Sequence, residues 1–171
     1  MTKAIILDAN RIGRNMREEV KTAIHDRGVK ILIFSGGKLE TELKGRRERG
    51  GTRYREYAKN GFFHYICKTS VVRKNNHLIE RNLIDCNDQH IIALALVSGA
   101  NTLHTEDNSL ICNFHNCQQI DESSDCISGR PHPQRRVIKA NSPSSKETRR
   151  LLLLAEANFG CCECMINSGG C

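Results

Sequence analysis

The chain opens on an uninterrupted apolar run that ends in an acid, Lys3-Ala4-Ile5-Ile6-Leu7-Asp8. A short, β-branched stretch without polar alternation has the pattern of a strand buried on both faces, and such strands belong to parallel sheets covered by helices. An acid placed directly after Ile-Ile-Leu is costly beside a core unless it has a partner. Asp8 is therefore a candidate functional group at the carboxyl end of a central strand.

The segments that follow repeat the alternation. Ile12 to Asp26 carries Ile12, Met16, Val20, Ala23 and Ile24 at helical spacing, with Gly28 as a stop signal. Val29 to Phe34 is a second apolar run, and Gly36-Gly37 leads into Leu39, Glu40, Glu42 and Leu43, which read as helical. Between Lys38 and Lys59 there are eight Lys/Arg and four Glu, broken by Gly50-Gly51, so two polar helices joined by a flexible turn are expected. Phe62 to Ile66 and Val71-Val72 fit strand or helix without deciding between them. Asp88 opens a helix with Ile91, Ile92, Ala95 and Leu96 on one face and Gly99 as terminator, and Thr102 to Thr105 is a short strand leading to Asp107. The sum is an α/β fold, an open parallel sheet with helices on both faces and right-handed crossovers. Groups at the carboxyl ends of its strands share one crevice, which puts Asp8 and Asp107 on the same edge.

A length of 171 residues allows one domain with an appendage. Residues 1–120 are expected to form the folded unit. Residues 121–171 read as a linker rich in Ser, Gly and Pro, a helix over Lys146 to Ala157 capped by Ser144 or Ser145, and a Cys-rich end. The nine cysteines are an odd number, so they do not form a complete disulfide framework. Cys67, Cys86, Cys112, Cys117 and Cys126 are scattered and read mostly as small buried hydrophobes. Cys161, Cys162, Cys164 and Cys171 lie within eleven residues, but no second pair matches the spacing of Cys161 and Cys164, which argues against zinc. No apolar stretch approaches the roughly 20 residues of a spanning helix, and no signal-peptide pattern opens the chain. A cytoplasmic location without a membrane partner is expected.

The formal net charge is +7, which favours a polyanionic partner, nucleic acid before an anionic membrane. Arg46, Arg47, Arg49, Arg53 and Arg55 are candidates to guide an RNA backbone, and Tyr54 and Tyr57 to stack on bases. A plain solvated helix face accounts for the same residues. Hydrolysis of a phosphodiester needs an activated water and stabilisation of charge on phosphate, which Mg²⁺ or Mn²⁺ supplies. These hard cations take oxygen ligands, so several carboxylates from distant parts of the chain must converge. Asp8, an acid early in the helix after the second strand, Asp88 and Asp107 meet that requirement in outline.

The local contexts of these acids resemble those of the PIN-domain family. Ile5-Ile6-Leu7-Asp8-Ala9-Asn10 is similar to its opening strand, and Leu39 to Leu43, with Glu42, to its second motif. Asp88-Gln89-His90-Ile91-Ile92-Ala93-Leu94-Ala95, followed by Ser98-Gly99-Ala100, is similar to the third, and Leu103-His104-Thr105-Glu106-Asp107 to the fourth. The resemblance implies a three-layer α/β/α sandwich with a central, mostly parallel sheet and a C-terminal extension. It further implies an endoribonuclease dependent on Mg²⁺ or Mn²⁺, with Asp8, Glu42, Asp88 and Asp107 as catalytic acids and Asp8, Asp88 and Asp107 as metal ligands. Many members are toxins of bacterial toxin–antitoxin pairs, which adds an antitoxin protein and a homodimer to the partners it implies. Glu40 is an alternative to Glu42, Asp85 an alternative to Asp88, and nothing in the family pattern corresponds to the chain after Asp121.

Each acid also has a plainer reading. Asp88 fits a helix N-cap, Asp107-Asn108 a turn, and Glu42 a solvated partner of Arg46 at i+4. Two other functions compete with the enzyme: a PIN-like RNA-binding module that has lost cleavage, and a scaffold for a zinc-binding or interacting Cys-rich tail.

Overall fold

The computed structural model describes residues 2–12, 16–45, 50–120, 134–139 and 144–157. Five strands form one all-parallel sheet: β1 (Ala4–Leu7), β2 (Lys30–Phe34), β3 (Phe63–Ile66), β4 (Thr102–Thr105) and β5 (Arg136–Lys139), in the order β3-β2-β1-β4-β5. Helices α1 (Glu18–Arg27), α2 (Lys38–Gly45), α3 (Gly50–Lys59), α4 (Lys68–Glu80), α5 (Gln89–Ser98), α6 (Asn108–Ile120) and α7 (Ser145–Leu153) flank it, giving a three-layer α/β/α sandwich. All four residues of β1 and of β4 are buried, as expected of central strands, β1 through an unbroken apolar run and β4 with His104 among Thr and Leu.

The register brings the strand ends together. Ile6 pairs with Leu103 and Leu7 with His104, and the Asp8 N–H then donates to the His104 carbonyl at 3.0 Å. Asp8 and the residues after β4 therefore leave the same edge of the sheet. After β2 the chain turns at once into α2. Gly36 takes a positive φ of 67°, and a Cβ on Gly37 would collide with the Phe34 ring, so the pair shapes this turn rather than a phosphate loop. Helix α5 is buried nearly throughout, from His90 to Leu96, and packs against α4, α6, β2 and β3. It fixes the position of Asp88 at its N-cap.

Helix α1 starts at Glu18, later than the spacing of Ile12 and Met16 predicts. Both side chains are buried, but Ala9–Arg11 forms a 3-10 turn capped by Asp8, which accepts from the Asn10 N–H at 3.2 Å. The undecided segments resolve as β3, from Phe63, and α4, which contains Val71-Val72.

The sheet extends beyond residue 120, the expected boundary of the folded unit. Strand β5 pairs with β4 from Thr102↔Arg136 to Thr105↔Lys139, and the His104 Nδ1–H donates to the Ile138 carbonyl at 2.8 Å. Helix α7 packs on α1, and Ser144 caps it by accepting from the Glu147 N–H. Asn101 secures the following segment, donating to the Leu154 carbonyl at 3.0 Å and accepting from the Glu156 N–H at 3.0 Å. The segment looked like an appendage because β5 buries little besides Ile138 and is preceded by linker-like composition. Among the described residues no helix is long and apolar enough to cross a membrane. Cys126 and the four cysteines from Cys161 to Cys171 lie outside the described residues.

Ile138 is 1% exposed against the core, so Ile138→Ala is expected to lower unfolding stability by about 2–5 kcal/mol in chemical denaturation. A loss under about 0.5 kcal/mol, typical of surface positions, would show that β5 is not part of the cooperative fold.

Candidate metal centre

The four acids singled out in the sequence come from four places along the carboxyl edge: the end of β1, helix α2, the N-cap of α5 and the loop after β4. Asp8 is almost fully buried. Its Oδ2 accepts from the Thr105 hydroxyl at 2.8 Å, and the same hydroxyl oxygen accepts from the Asp107 N–H at 3.1 Å. Thr105 thus ties the ends of β1 and β4 together and orients Asp8, leaving a carboxylate with further lone pairs for a ligand. Asp107 is exposed, and its Oδ1 caps α6 by accepting from the Leu110 N–H at 2.9 Å. The turn reading of this residue is satisfied by one oxygen of the carboxylate.

Asp88 occupies the N-cap of α5 without making a side-chain capping bond. Its carboxylate lies beside those of Glu42 and the imidazole of His90, and one ligand atom from each of the three lies within 4.8 Å of the others. His90 Nε2 is 3.8 Å from Glu42 Oε2, and Nδ1 is 4.0 Å from Asp88 Oδ1. The Lys38 ammonium stands 3.6 Å from Glu42 Oε1 and 3.6 Å from Asp88 Oδ1 while donating to the Asn87 carbonyl at 2.8 Å. Arg46, the i+4 partner considered for Glu42, lies outside the described residues.

The charges of the cluster act on one another. Burial raises the Glu42 carboxyl above its ordinary value; Lys38 works against this, and Asp88 and Asp8 add to it. Asp88 is raised first by burial and also by Asp8 and Asp107, again with Lys38 opposing. Asp8 and Asp107 are thus near enough to Asp88 to disfavour its charge. Burial and the Lys38 charge push His90 down to about 4, so its ring is neutral at physiological pH. Two half-buried carboxylates and a neutral imidazole at this spacing form a donor set that suits a divalent cation.

The alternatives separate clearly. Glu40 points elsewhere, accepting from the Gly36 N–H at 2.6 Å and the Tyr54 hydroxyl at 2.5 Å, with Lys44 at 2.9 Å. Burial opposes the charge of Glu40, but these hydrogen bonds and the Lys44 ammonium outweigh it and hold the carboxyl below its ordinary value. Asp85 stays exposed, its carbonyl accepting from the Ser109 hydroxyl. Tyr54 and Tyr57 are buried in an aromatic group with Phe62 and Phe63, so neither is placed to stack on bases. Arg55 is exposed on α3; Arg46, Arg47 and Arg49 lie outside the described residues, as does the side chain of Arg53.

Three contributors were not singled out in the sequence. Thr105 looked like any β-branched strand residue. Lys38 looked like part of a basic run. His90 looked isolated along the chain, although it stands two residues after Asp88 and, in space, across from Glu42. Comparison with known protein families, with curated proteins and with solved structures found no match to this chain.

Because the folded chain holds the Asp88 proton more tightly than the unfolded chain, ionisation of Asp88 costs stability above the carboxylate range and nothing below it. In EDTA at pH 7, Asp88→Asn is expected to raise Tm by roughly 1–3 °C, the gain shrinking toward zero as pH falls below the ordinary aspartate value. A lower Tm at pH 7 would mean that Asp88 is held by attraction rather than strained by repulsion.

Proposed function

We propose that the chain is a metal-dependent endoribonuclease of PIN-like design, cutting RNA at the cluster of Asp8, Glu42, Asp88 and Asp107. The observation that carries this reading is the convergence of Glu42, Asp88 and His90 to ligand distance at the sheet edge where Asp8 and Asp107 also end. The α/β/α architecture and the order of the motifs along the chain support it. A bound Mg²⁺ or Mn²⁺ supplies an activated water and neutralises charge building on the phosphoryl oxygens. Asp88 and Glu42 hold the ion, with Asp8 and Asp107 adding negative charge or ligand oxygens from the other side. Lys38, a point charge at the rim of the cluster, is suited to a phosphate of the substrate backbone. The net charge of +7 favours approach of RNA, and Arg55 with the arginines from Arg46 to Arg53 is the basic stretch that serves it. A toxin role, an antitoxin partner, a homodimer and a cytoplasmic setting rest on the family resemblance and the sequence alone.

One observation favours a second reading, an RNA-binding module without cleavage. The Lys38 ammonium stands between Glu42 and Asp88 and neutralises them internally. The test is cleavage of a labelled structured RNA by metal-stripped protein given Mg²⁺ or Mn²⁺, with EDTA as control. Asp8→Asn and Asp88→Asn are each expected to slow cutting by more than about 100-fold. If the unaltered protein binds the RNA but cuts no faster than its variants, the binding module is the better account.

A further inference from the structure

His90 is 4% exposed, and its Nε2 has no hydrogen-bond partner among the described residues. Leaving a buried polar nitrogen unpaired costs about 1–3 kcal/mol, so this nitrogen is open to an ordered water or an ion. The nitrogen is aimed at a carboxylate oxygen it does not reach: Glu42 Oε2 is 3.8 Å away, beyond hydrogen-bond range. Glu42 divides its two oxygens, turning Oε1 toward Lys38 and Oε2 toward His90. Asp88 Oδ1 lies 4.0 Å from the other ring nitrogen, Nδ1, and 3.6 Å from the Lys38 ammonium, so Lys38 flanks the cluster on the Asp88 side.

The dimensions of the gap between Nε2 and Oε2 fit an ion. Metal–nitrogen and metal–oxygen bonds to small divalent cations are each about 2.1 Å, so two of them reach across at most about 4.2 Å. A separation of 3.8 Å is bridged at an obtuse angle without moving either side chain far. Size does not discriminate among such ions, but donor type does. Mg²⁺ keeps to oxygen ligands and water, whereas imidazole nitrogen suits first-row transition ions, with affinity rising from Mn²⁺ through Co²⁺.

We propose that His90 is a direct nitrogen ligand, with Glu42 and Asp88, of a first-row transition ion, and that the site takes Mn²⁺ or a later ion of that series in preference to Mg²⁺. The inference rests on the metal-site reading above and deepens it by naming the class of ion. His90 lies at the second position of α5, whose rigid, buried body holds the ring in place, so the ligand is built into the scaffold rather than into a loop.

The test is pulsed EPR of Mn²⁺ added to the metal-stripped full chain without RNA, unlabelled and with ¹⁵N-histidine. The expected result is nitrogen modulation from one imidazole that changes with the isotope, and retention of bound Mn²⁺ against a hundredfold excess of Mg²⁺. His90→Gln is expected to remove the modulation and weaken Mn²⁺ binding by about 10- to 100-fold, so that the preference for Mn²⁺ over Mg²⁺ falls. The spectrum of the unaltered protein decides the question even if that variant does not fold. Bound Mn²⁺ without imidazole modulation, or equal competition by Mg²⁺, overturns the proposal; if RNA cutting persists under those conditions, the nuclease reading survives it. Failure to bind any of Mn²⁺, Co²⁺ and Mg²⁺ overturns both.

Discussion

Asp8 brings a carboxylate to the end of a strand whose every residue is buried, and much of the carboxyl edge is arranged around it. An acid in that position needs hydrogen-bond donors to replace water. The Thr105 hydroxyl provides one from the neighbouring strand, and the Asn10 N–H another from the turn that follows. Because Thr105 also accepts from the Asp107 N–H, the bond that accommodates Asp8 sets the exit of β4 and the start of α6. Parallel pairing of β1 with β4 is what brings these groups into reach, since it aligns two strand ends separated by about a hundred residues in sequence.

Electrostatic strain accumulates beside that anchor. Glu42 and Asp88 are pushed toward their protonated forms by burial and by neighbouring acids, and Lys38 relieves them only in part. Such a grouping costs stability, and carboxylates perturbed in this way are concentrated at functional sites. Glu40 shows the contrast within a single helix. Two residues from Glu42, it is fully provided with donors from Gly36, Tyr54 and Lys44 and serves the packing of α2 against α3 and the β2–α2 turn.

Much of this was legible in the sequence, for physical reasons. Unbroken apolar runs identified β1 and β2, and the strand-ending acids Asp8 and Asp107 followed from the rule that parallel sheets gather function at their carboxyl edge. Burial around most of α5 made its sequence continuously apolar and easy to place. Other features had no local signal. Glu40 and Glu42 lie roughly 200° apart around α2, and only the packing of that helix decides which one faces the crevice. Strand β5 is a four-residue edge whose membership in the sheet depends on pairing with β4, and α1 begins late because Ile12 and Met16 are buried from non-helical backbone. His90 follows Asp88 by two residues, a spacing common to many helix starts, and its role depends on Glu42 approaching from α2.

The central claim is that acids from four separate elements serve one cation. The most direct measurement adds substoichiometric Mn²⁺ to ¹⁵N-labelled protein and records which backbone amides broaden. The account expects Asp8, Glu42, Asp88, His90 and Asp107 to broaden together, while exposed acids elsewhere, Glu18, Glu80 and Glu147, stay sharp. Broadening spread evenly over the exposed acids, or confined to Asp88 with Asp8 and Asp107 untouched, would contradict it.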